Sequence, residues 1–413
     1  MAVHSSNIIQ DQIDQLLEWL AGFGKTEDGG VTRLLYDESW QQAQEAVKEK
    51  MGTMGLEARY DAVGNVFGRF EGTEKTDKVV MTGSHIDSVV NGGIYDGAYG
   101  VAAAMLALER LKQAYGRPKQ SIEIVSFCEE EGSRFPVTFW GSGHITGRLS
   151  EGETETLKDT DGISIGQAMR ACEFEAAASL PLKREDIDSF IELHVEQGGT
   201  LKKTNASVGV VSDIVGQRRY HITVEGESNH AGTTPMPERK DAVVLASELI
   251  TNITAMAKRK DESMVATVGK MEITPNVPNV IASRVVFSLD VRHHSKGLLE
   301  EFEQELENLY DVQAAKCGMS VSSNCWMEVE PVPMSRDVYE TMHKSAESLH
   351  ISSQLMISGA GHDAQVMGSY YPTALLFVPS EAGVSHSPKE YTKSSDLEQG
   401  VKVLEETLFR LAY

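Results

Sequence analysis

The sequence predicts an α/β protein in which a mostly parallel sheet is interrupted by a smaller α+β domain. Early in the chain, strand-like runs alternate with stretches of helical periodicity, an order typical of parallel sheets. From about residue 214 the order becomes strand, helix, two strands, helix and strand, which is that of a ferredoxin-like domain. The α/β pattern resumes after Pro331. We therefore expect one domain formed by residues 1–213 and 330–413, interrupted by a second formed by residues 214–329.

Hydrophobic periodicity predicts each element in turn. Residues 11–20 place Ile13, Leu16, Leu17 and Leu20 on one helical face, and an alanine-rich helix follows at 101–115. In the first domain, short apolar runs predict strands at 79–83, 121–127, 190–193 and 374–378. In the second, the predicted order is a strand at 220–224, a helix near 242–250, strands at 265–273 and 284–292, a helix at 298–315 and a strand at 319–327. A sheet of parallel strands places its functional site at the carboxyl ends of those strands.

Composition and charge limit the partners and the location of the protein. Asp and Glu number 61 against 38 Lys and Arg, which gives a formal net charge of −23 at pH 7. Nucleic acids and anionic membranes both require a positive field, so neither is expected to bind. No apolar run reaches the ~18 residues of a transmembrane helix, and residues 1–11 lack a signal-peptide pattern. Cys128, Cys172, Cys317 and Cys325 lack metal-ligand or disulfide-framework spacing, so we expect reduced thiols in a cytoplasmic protein.

Histidines and carboxylates follow several predicted strands at the points where the strands end. They lie in the segments GSHID (83–87), YDG (95–97), CEEEG (128–132), ELHVEQG (192–198) and GVSHSP (383–388). Imidazole and carboxylate groups suit zinc, manganese or cobalt, and one aspartate can bridge two ions through its two oxygens. Taken singly, each segment has a structural alternative, such as a hydrogen-bonded histidine or a solvated helix start. Together, at one sheet edge, they predict a metal site.

In this order the segments resemble the co-catalytic dinuclear metallohydrolases that include aminoacylase, carboxypeptidase G and the carbamoyl-amino-acid amidohydrolases. The resemblance extends from GGVTRL (29–34) to the segment at 385–388. It implies a metallohydrolase catalytic domain interrupted by a ferredoxin-like lid or dimerisation domain. It also implies two divalent ions, zinc or manganese with cobalt as a further candidate. The implied ligands are His85 and His194 for one ion, Glu131 and His386 for the other, and Asp96 as the bridge.

The same resemblance assigns the catalytic groups. Glu130 is expected to be the general base that takes a proton from water and passes it to the leaving nitrogen. Asp87 is expected to orient the His85 imidazole, with a turn-capping aspartate as the alternative. His230, in GESNHAGTTP (226–235), is expected to stabilise the tetrahedral oxyanion, with an ordinary loop histidine as the alternative.

Polar residues indicate the substrate. Arg292 ends a predicted strand and can hold a carboxylate through two parallel hydrogen bonds, although a plain surface charge is the alternative. Further substrate contacts are expected from Gln197, Gln217, His230, Asn279 and Gly359. Such donors and acceptors suit the ureido arms of a small ureide, whereas an amino-acid side chain would need an apolar pocket.

Four segments favour the allantoate-hydrolysing branch of the family over the N-carbamoyl-L-amino-acid hydrolases. They are EGSRFP (131–136), VGQRRY (215–220), SNHAGTTP (228–235) and GAGHDAQ (359–365). The resemblance therefore implies hydrolysis of a ureido C–N bond of allantoate to ureidoglycine, ammonia and carbon dioxide, in purine catabolism. Two alternatives stay open: an N-carbamoyl-L-amino-acid hydrolase, and a non-catalytic homologue that binds a ureide. The second would be favoured by loss of Glu130 or of a ligand, and all are present.

The resemblance also implies a homodimer whose active sites are completed across the subunits. Two inserted domains would pair edge to edge, and each would lend His230 and Asn279 to the neighbouring site. Such pairing would cover the exposed edge of a small sheet, and a two-fold dimer is the commonest assembly. The alternative is a lid that reaches the site of its own chain by hinge closure.

Overall fold

The structure is a computed structural model that describes residues 3–149, 152–174 and 183–413. The chain divides into two compact units. The first unit comprises Met1–Ser212 and Met334–Tyr413, and the second comprises Asp213–Pro333.

Helices and strands are numbered along the whole chain. The helices are α1 Val3–Ala21, α2 Glu38–Thr53, α3 Ala98–Tyr115, α4 Trp140–Ile145, α5 Glu153–Thr156, α6 Ile165–Ala171, α7 Thr200–Thr204, α8 Ala242–Lys260, α9 Lys296–Cys317, α10 Arg336–Ser348, α11 Asp363–Gly368 and α12 Ser394–Ala412. The strands are β1 Glu57–Tyr60, β2 Val66–Phe70, β3 Lys75–His85, β4 Gln120–Phe127, β5 Ile187–Val195, β6 Val208–Ile214, β7 Gly216–Glu225, β8 Val265–Thr267, β9 Met271–Thr274, β10 Arg284–His293, β11 Ser320–Val329, β12 Val332–Pro333, β13 Ser353–Ser358 and β14 Thr373–Val378. Short 3₁₀ helices lie at Met236–Glu238 and Glu381–Gly383.

The sheet of the first unit is parallel at its centre and antiparallel at its sides. Its strand order is β1-β2-β4-β3-β5-β14-β6, with β13 beside β6. The four adjacent strands β4, β3, β5 and β14 run parallel, whereas β1, β2 and β6 pair antiparallel with their neighbours. The predicted α/β sheet is therefore confirmed, and the antiparallel flanks are an addition that the sequence pattern did not reveal.

Helices α1, α3 and α12 share one core with this sheet. Helix α3 is buried along most of its length because its alanines let it approach the strands closely. Helix α1 contributes the predicted face, with Ile13, Leu17 and Leu20 fully buried and Leu16 packed at the margin. Helix α3 packs on both β3 and β5, the strands that carry His85 and His194.

The second unit is a five-stranded antiparallel sheet with two helices packed on it. The order is β11-β7-β10-β8, with β9 also paired to β10, as a ferredoxin-like βαββαβ unit requires. The single strand predicted at 265–273 is instead two strands, β8 and β9. Between them the chain has one residue more than β10 opposite, because Thr267 pairs with Asp290 and Met271 pairs with Phe287. This is a β-bulge at Gly269, and glycine tolerates the bend.

All four cysteines are free thiols, with Cys128 and Cys172 buried. Over the residues that the structure describes, every helix is too short or too polar to pass through a bilayer.

Candidate metal centre

The parallel strands bring the predicted ligands to one edge of the sheet. His85 is the last residue of β3, and His194 is the last but one of β5. Asp96 lies on the loop between β3 and α3, and Glu131 lies on the loop after β4. His386 follows β14 and the 3₁₀ helix Glu381–Gly383. Since β4, β3, β5 and β14 are neighbours, the loops after their carboxyl ends converge.

Two groups of ligand atoms form at this edge, and they share one aspartate. His85, Asp96 and His194 form a buried group, while Asp96, Glu131 and His386 form a more open one, and in each group the ligand atoms lie within 4.8 Å of one another. Asp96 Oδ1 lies 3.8 Å from His85 Nε2 and 3.1 Å from His194 Nε2. Asp96 Oδ2 lies 3.4 Å from His386 Nε2, and Glu131 Oε2 lies 3.4 Å from the same nitrogen. Each oxygen of Asp96 therefore faces a different group.

A hydrogen-bond contact at Nδ1 fixes the ring of each buried histidine, so that its Nε2 atom faces Asp96. His85 Nδ1 lies 3.1 Å from Asp87 Oδ1, and His194 Nδ1 lies 2.9 Å from the carbonyl oxygen of the next residue. Both Nδ1 atoms are thereby assigned as donors, which leaves each Nε2 with a lone pair. The Gly97 amide donates to His194 Nε2 at 3.0 Å, as that assignment requires. Histidines that bind metals are oriented in this way.

The charges of the site also fit a cation. Glu131 Oε1 is buried and accepts no hydrogen bond from the described residues. Burial, with the charge of Asp96 beside it, raises the pKa of Glu131 to about 7. Burial likewise raises the pKa of Glu130 well above its ordinary value, and Glu131 adds to that shift. Although burial opposes it, the neighbouring imidazoles of His194 and His386 hold the pKa of Asp96 well below its usual range. A divalent cation would relieve this repulsion among carboxylates.

Asp87 connects the first histidine to the glutamate loop. Its Oδ1 accepts the Glu130 amide at 3.0 Å, and its Oδ2 accepts the Glu131 amide at 3.2 Å. The same carboxylate faces His85 Nδ1. The contact with His85 that the sequence predicted is present, and the two contacts with the glutamate loop were not foreseen.

A close approach of the Asp96 loop to His85 explains the glycine that follows Asp96. Gly97 has a φ of 62°, and a Cβ there would lie 2.4 Å from the Cε1 and Nε2 atoms of His85. Any larger residue would displace the ring or the loop, so the position of Asp96 beside His85 depends on glycine.

Sequence reasoning missed several residues that surround the ligands. Glu390 accepts hydrogen bonds from the Asp96 amide and from Ser385 Oγ, each at 3.0 Å. Gln197, predicted to contact substrate, donates to Asp96 Oδ2 at 2.8 Å. The buried His362 ring lies 4.5 Å from that of His194, and burial keeps the pKa of His362 well below its ordinary value. The signals that were available are the position of Glu390 in the loop of the last histidine and that of His362 in the segment at 359–365.

In the second unit, two loops present His230 and Asn279 side by side. The Ala231 amide donates to the Asn279 carbonyl at 3.0 Å, and the Ile281 amide donates to the Asn229 carbonyl at 2.8 Å. Both predicted side chains are exposed. The Gly232 amide donates to His230 Nδ1 at 3.0 Å, so the neutral ring carries its proton on Nε2. His230 is therefore set as a hydrogen-bond donor.

The structure also places Gln217 and Arg292 together. They are opposite each other on β7 and β10, and both bind Asp290. The Gln217 amide donates to Asp290 Oδ2 at 2.7 Å, and Arg292 Nε donates to Oδ1 at 3.1 Å. Although burial opposes it, Arg292, with help from Arg219, holds the pKa of Asp290 below its ordinary value. The orientation of Arg292 is therefore set by a carboxylate of its own strand.

The last predicted substrate residue, Gly359, is exposed on the loop between β13 and α11 of the first unit. A Cβ at this position would meet no atom within 4 Å. The packing of this chain therefore does not explain a glycine there.

Comparison with known proteins places both units in a family of hydrolases. A family model described as "Peptidase family M20/M25/M40" matches residues 81–410, a range that includes every predicted metal ligand. The allantoate amidohydrolase of Bacillus subtilis (strain 168) is 48% identical over 405 residues, which cover 98% of each chain. That of Escherichia coli (strain K12) is 44% identical over 401 residues, 97% of this chain and 98% of the relative. Among solved structures, an amidase of the hydantoinase/carbamoylase family from Burkholderia multivorans has a TM-score of 0.92 and 32% identity, with 98% of each chain covered.

Proposed function

The chain belongs to peptidase family M20/M25/M40, and from this premise we propose that it is a hydrolase that cleaves a ureido C–N bond of allantoate. The observation that carries the proposal is near-full-length similarity to two allantoate amidohydrolases, at higher identity than to the hydantoinase/carbamoylase-family amidase. The products are ureidoglycine, ammonia and carbon dioxide. The second candidate is hydrolysis of N-carbamoyl-L-amino acids, since the chain shares its whole fold with that carbamoylase-family amidase.

The family metal site is formed by His85, Asp96 and His194. We propose a second ion held by Asp96, Glu131 and His386, with zinc or manganese as the metal and cobalt as a substitute. The shared Asp96 and the unpartnered Glu131 Oε1 support this second position. Bound divalent ions lower the pKa of a coordinated water and polarise the carbonyl oxygen of the substrate.

Glu130 is proposed as the general base and then the general acid. Its backbone amide is fixed by Asp87. Burial raises the pKa of its carboxyl, so the group holds a proton more strongly than it would in water. A carboxylate tuned in this direction can accept a proton from the attacking water and return it to the departing nitrogen. His230 is proposed to donate its Nε2 proton to the oxygen on which negative charge develops.

Arg292 is proposed to bind the carboxylate of allantoate, with its guanidinium oriented by Asp290. Gln217, Asn279, Gln197 and Gly359 are proposed to meet the polar ureido arms. The exposure of Asn279 supports its contact with a ligand.

We also propose that the first unit is the catalytic domain, and that the second unit forms a homodimer and lends His230 and Asn279 to the metal centre of the neighbouring subunit. The sheet of the second unit ends at β11 on one side, and most residues of that strand are exposed. An open edge of this kind favours pairing with another chain. A cytoplasmic location is proposed because all four cysteines are free thiols.

A substrate panel tests the function. Ammonia release would be measured from allantoate and from N-carbamoyl-L-amino acids, with manganese or zinc added to the full-length protein. We expect turnover of allantoate and little of the carbamoyl compounds. Activity on the carbamoyl compounds alone would reject the first function and establish the second.

Glu130→Gln tests the general base in the same assay. We expect full metal occupancy and a loss of about 10² to 10⁴-fold in turnover. The matched control is Glu71→Gln. Glu71 is an exposed carboxylate that lies outside the site and pairs with Arg69, so this variant should keep normal turnover. Near-normal turnover in Glu130→Gln would assign the base to another carboxylate.

A further inference from the structure

One buried carboxylate ties the loop of Asp96 to the loop of His386. Glu390 is 5% exposed. Its Oε1 accepts the amide hydrogens of Tyr95 at 3.2 Å and Asp96 at 3.0 Å. Its Oε2 lies 3.0 Å from the hydroxyl of Ser385, the residue before His386, and that hydroxyl lies at the same distance from Asp96 Oδ2, so the two carboxylates share its hydrogen. No sequence motif predicts a role for Glu390, and Glu390 takes no part in the proposed catalytic steps.

We propose that Glu390 is a positioning residue for the second metal position, the one formed by Asp96, Glu131 and His386. This inference rests on the proposed two-ion centre. Glu390 touches no ligand atom itself. It acts by fixing the backbone of the shared aspartate and the loop that carries the last histidine.

The two metal positions differ in how much they need such support. His85 and His194 lie within strands, and each is 1% exposed. His386 lies outside regular secondary structure, its side chain is 51% exposed, and its φ is 53°. A non-glycine residue in this left-handed region persists only where surrounding contacts determine its conformation. The bond from Ser385 to Glu390 is such a contact, so its loss should act on the second position selectively.

Gly93 gives independent support for a close fit around Glu390. A Cβ on Gly93 would lie 2.3 Å from Glu390 Oε1 and 2.4 Å from its Cδ. The lack of a side chain there allows the carboxylate to reach the Asp96 amide. The loop before Asp96 is thus shaped to admit Glu390.

The alternative is that Glu390 only stabilises the fold, as other carboxylates in this unit do. Asp37 provides the matched case, because it accepts the Leu34 amide at 3.0 Å and the Trp40 amide at 2.6 Å. Both carboxylates bind two backbone amides, but Asp37 lies at the start of α2, away from the ligand loops. A purely structural role would make the two residues behave alike.

The test is a titration of the metal-free, full-length protein with Co²⁺, in which binding is measured by visible absorption and by calorimetry. Glu390→Gln keeps an oxygen that can accept the amides, but its NH₂ group can only donate to Ser385 Oγ. The charged acceptor that shares the Ser385 hydroxyl hydrogen with Asp96 is therefore lost. We expect the second Co²⁺ to bind about 10 to 100-fold more weakly, the usual effect of losing an outer partner of a metal ligand. The first Co²⁺ should bind as in the unaltered protein, and excess Co²⁺ should restore turnover.

Two further variants make the test decisive. Asp37→Asn should lower the melting temperature and leave both affinities unchanged. Ser385→Ala removes the hydroxyl that joins Glu390 to Asp96 Oδ2, so it should reproduce the selective weakening even if Glu390→Gln does not fold.

The outcomes distinguish the role of Glu390 from the proposed two-ion centre on which it rests. Two Co²⁺ ions bound with unchanged affinities in Glu390→Gln and Ser385→Ala would overturn the role of Glu390 and leave the two-ion centre standing. Equal weakening of both ions, together with the thermal loss seen in Asp37→Asn, would show a purely structural role. A single Co²⁺ bound by the unaltered protein would overturn the two-ion centre itself.

Discussion

The metal centre of the first unit and the loops of His230 and Asn279 in the second unit differ in what holds their side chains. In the first unit, His85 and His194 are 1% exposed, and a second contact fixes the ring of each. In the second unit, backbone hydrogen bonds hold the loops together, but the side chains of His230 and Asn279 are exposed. The first region therefore fixes its ligand geometry within one chain, whereas the second fixes only the backbone and leaves the side chains available to a ligand or partner.

This difference has an energetic origin. Burying several carboxylates at one sheet edge raises the pKa values of Glu130 and Glu131, so that centre is repulsive until cations neutralise it. Exposed polar side chains carry no such desolvation cost. Substitutions in the first region should therefore act through metal binding, and substitutions in the second should act on turnover or substrate affinity with the metals in place.

The largest expected effect comes from adding one methyl group to the buried centre. In Gly97→Ala, the Cβ would lie 2.4 Å from the His85 ring. Displacing a metal-binding histidine costs about 10 to 100-fold in metal affinity. The strained backbone at a φ of 62° adds about 1–3 kcal/mol. We expect turnover to fall by about 10³-fold, with weak metal binding by calorimetry.

Gly116→Ala is the matched control for this change. Gly116 also has a positive φ, 75°, but a Cβ there would meet no atom within 4 Å. It should lose some stability and keep its affinity for metal. Normal metal binding by Gly97→Ala would mean that the bridging loop can move, and the contrast between a rigid centre and open loops would then fail.

The parts of the molecule that the sequence predicted are those with a local signal. The periodicity of α1 and α3 and the apolar runs of β3, β4, β5 and β14 predicted these elements. The ligands were predictable because they stand at the ends of those strands, where a parallel sheet gathers them. The strands β1, β2 and β6 were missed, since β1 has only four residues, and β2 and β6 are buried along most of their length and so show no alternation.

The features of the site that the sequence did not predict depend on hydrogen bonds from backbone amides or on contacts between distant residues. Glu390 and Asp96 are 294 positions apart, and Glu390 binds a backbone amide, which leaves no trace in residue type. The bond that orients His230 also comes from a backbone amide. The pairing of Arg292 with Asp290 is different, because residues two positions apart lie on the same face of a strand, and strand periodicity alone predicts such a contact.

The next effect concerns the exposed loops. His230→Ala should retain both metal affinities and lose about 10² to 10³-fold in kcat, the usual cost of removing one oxyanion donor. The control is His221→Ala, an exposed histidine of β7 in the same unit, which should have normal kcat. A loss of metal binding in His230→Ala would place this residue among the ligands instead.

Hybrid dimers sharpen the same comparison. Chains carrying His230→Ala and chains carrying Glu130→Gln should each be inactive alone. When mixed, they should recover activity if one site combines His230 of one chain with Glu130 of the other. Hybrids that form and stay inactive, or an active monomer, would assign His230 to the metal centre of its own chain.

A smaller effect is the pH dependence of metal binding. In the metal-free centre the pKa of Glu131 is about 7, and hydrogen bonding to Asp96 raises that of His386 to about 9. Both groups must lose their protons to bind an ion, so protons compete with metal below these values. Affinity at the second position should rise with pH from 7 to 9, by up to about 10-fold per pH unit for each proton released. Calorimetry in buffers of different ionisation enthalpy measures that release. A metal affinity that does not change between pH 7 and 9 would contradict ligation by His386.

The smallest effect is expected at Arg292. Its guanidinium is held by a neighbouring carboxylate, Asp290, as the buried histidines are held by their second contacts, yet its side chain remains 31% exposed, as those of the open loops do. Arg292→Lys replaces a planar fork by a point charge, so KM for allantoate should rise by about 10-fold, the cost of one charge-assisted hydrogen bond. An amide analogue of the substrate should lose much less, because it lacks the carboxylate. Arg284→Lys, which alters an exposed arginine of the same strand paired with Glu225, is the matched control and should leave KM unchanged. If Arg292→Lys treats acid and amide as the unaltered protein does, the carboxylate is held elsewhere, and this strand of the second unit serves structure rather than substrate.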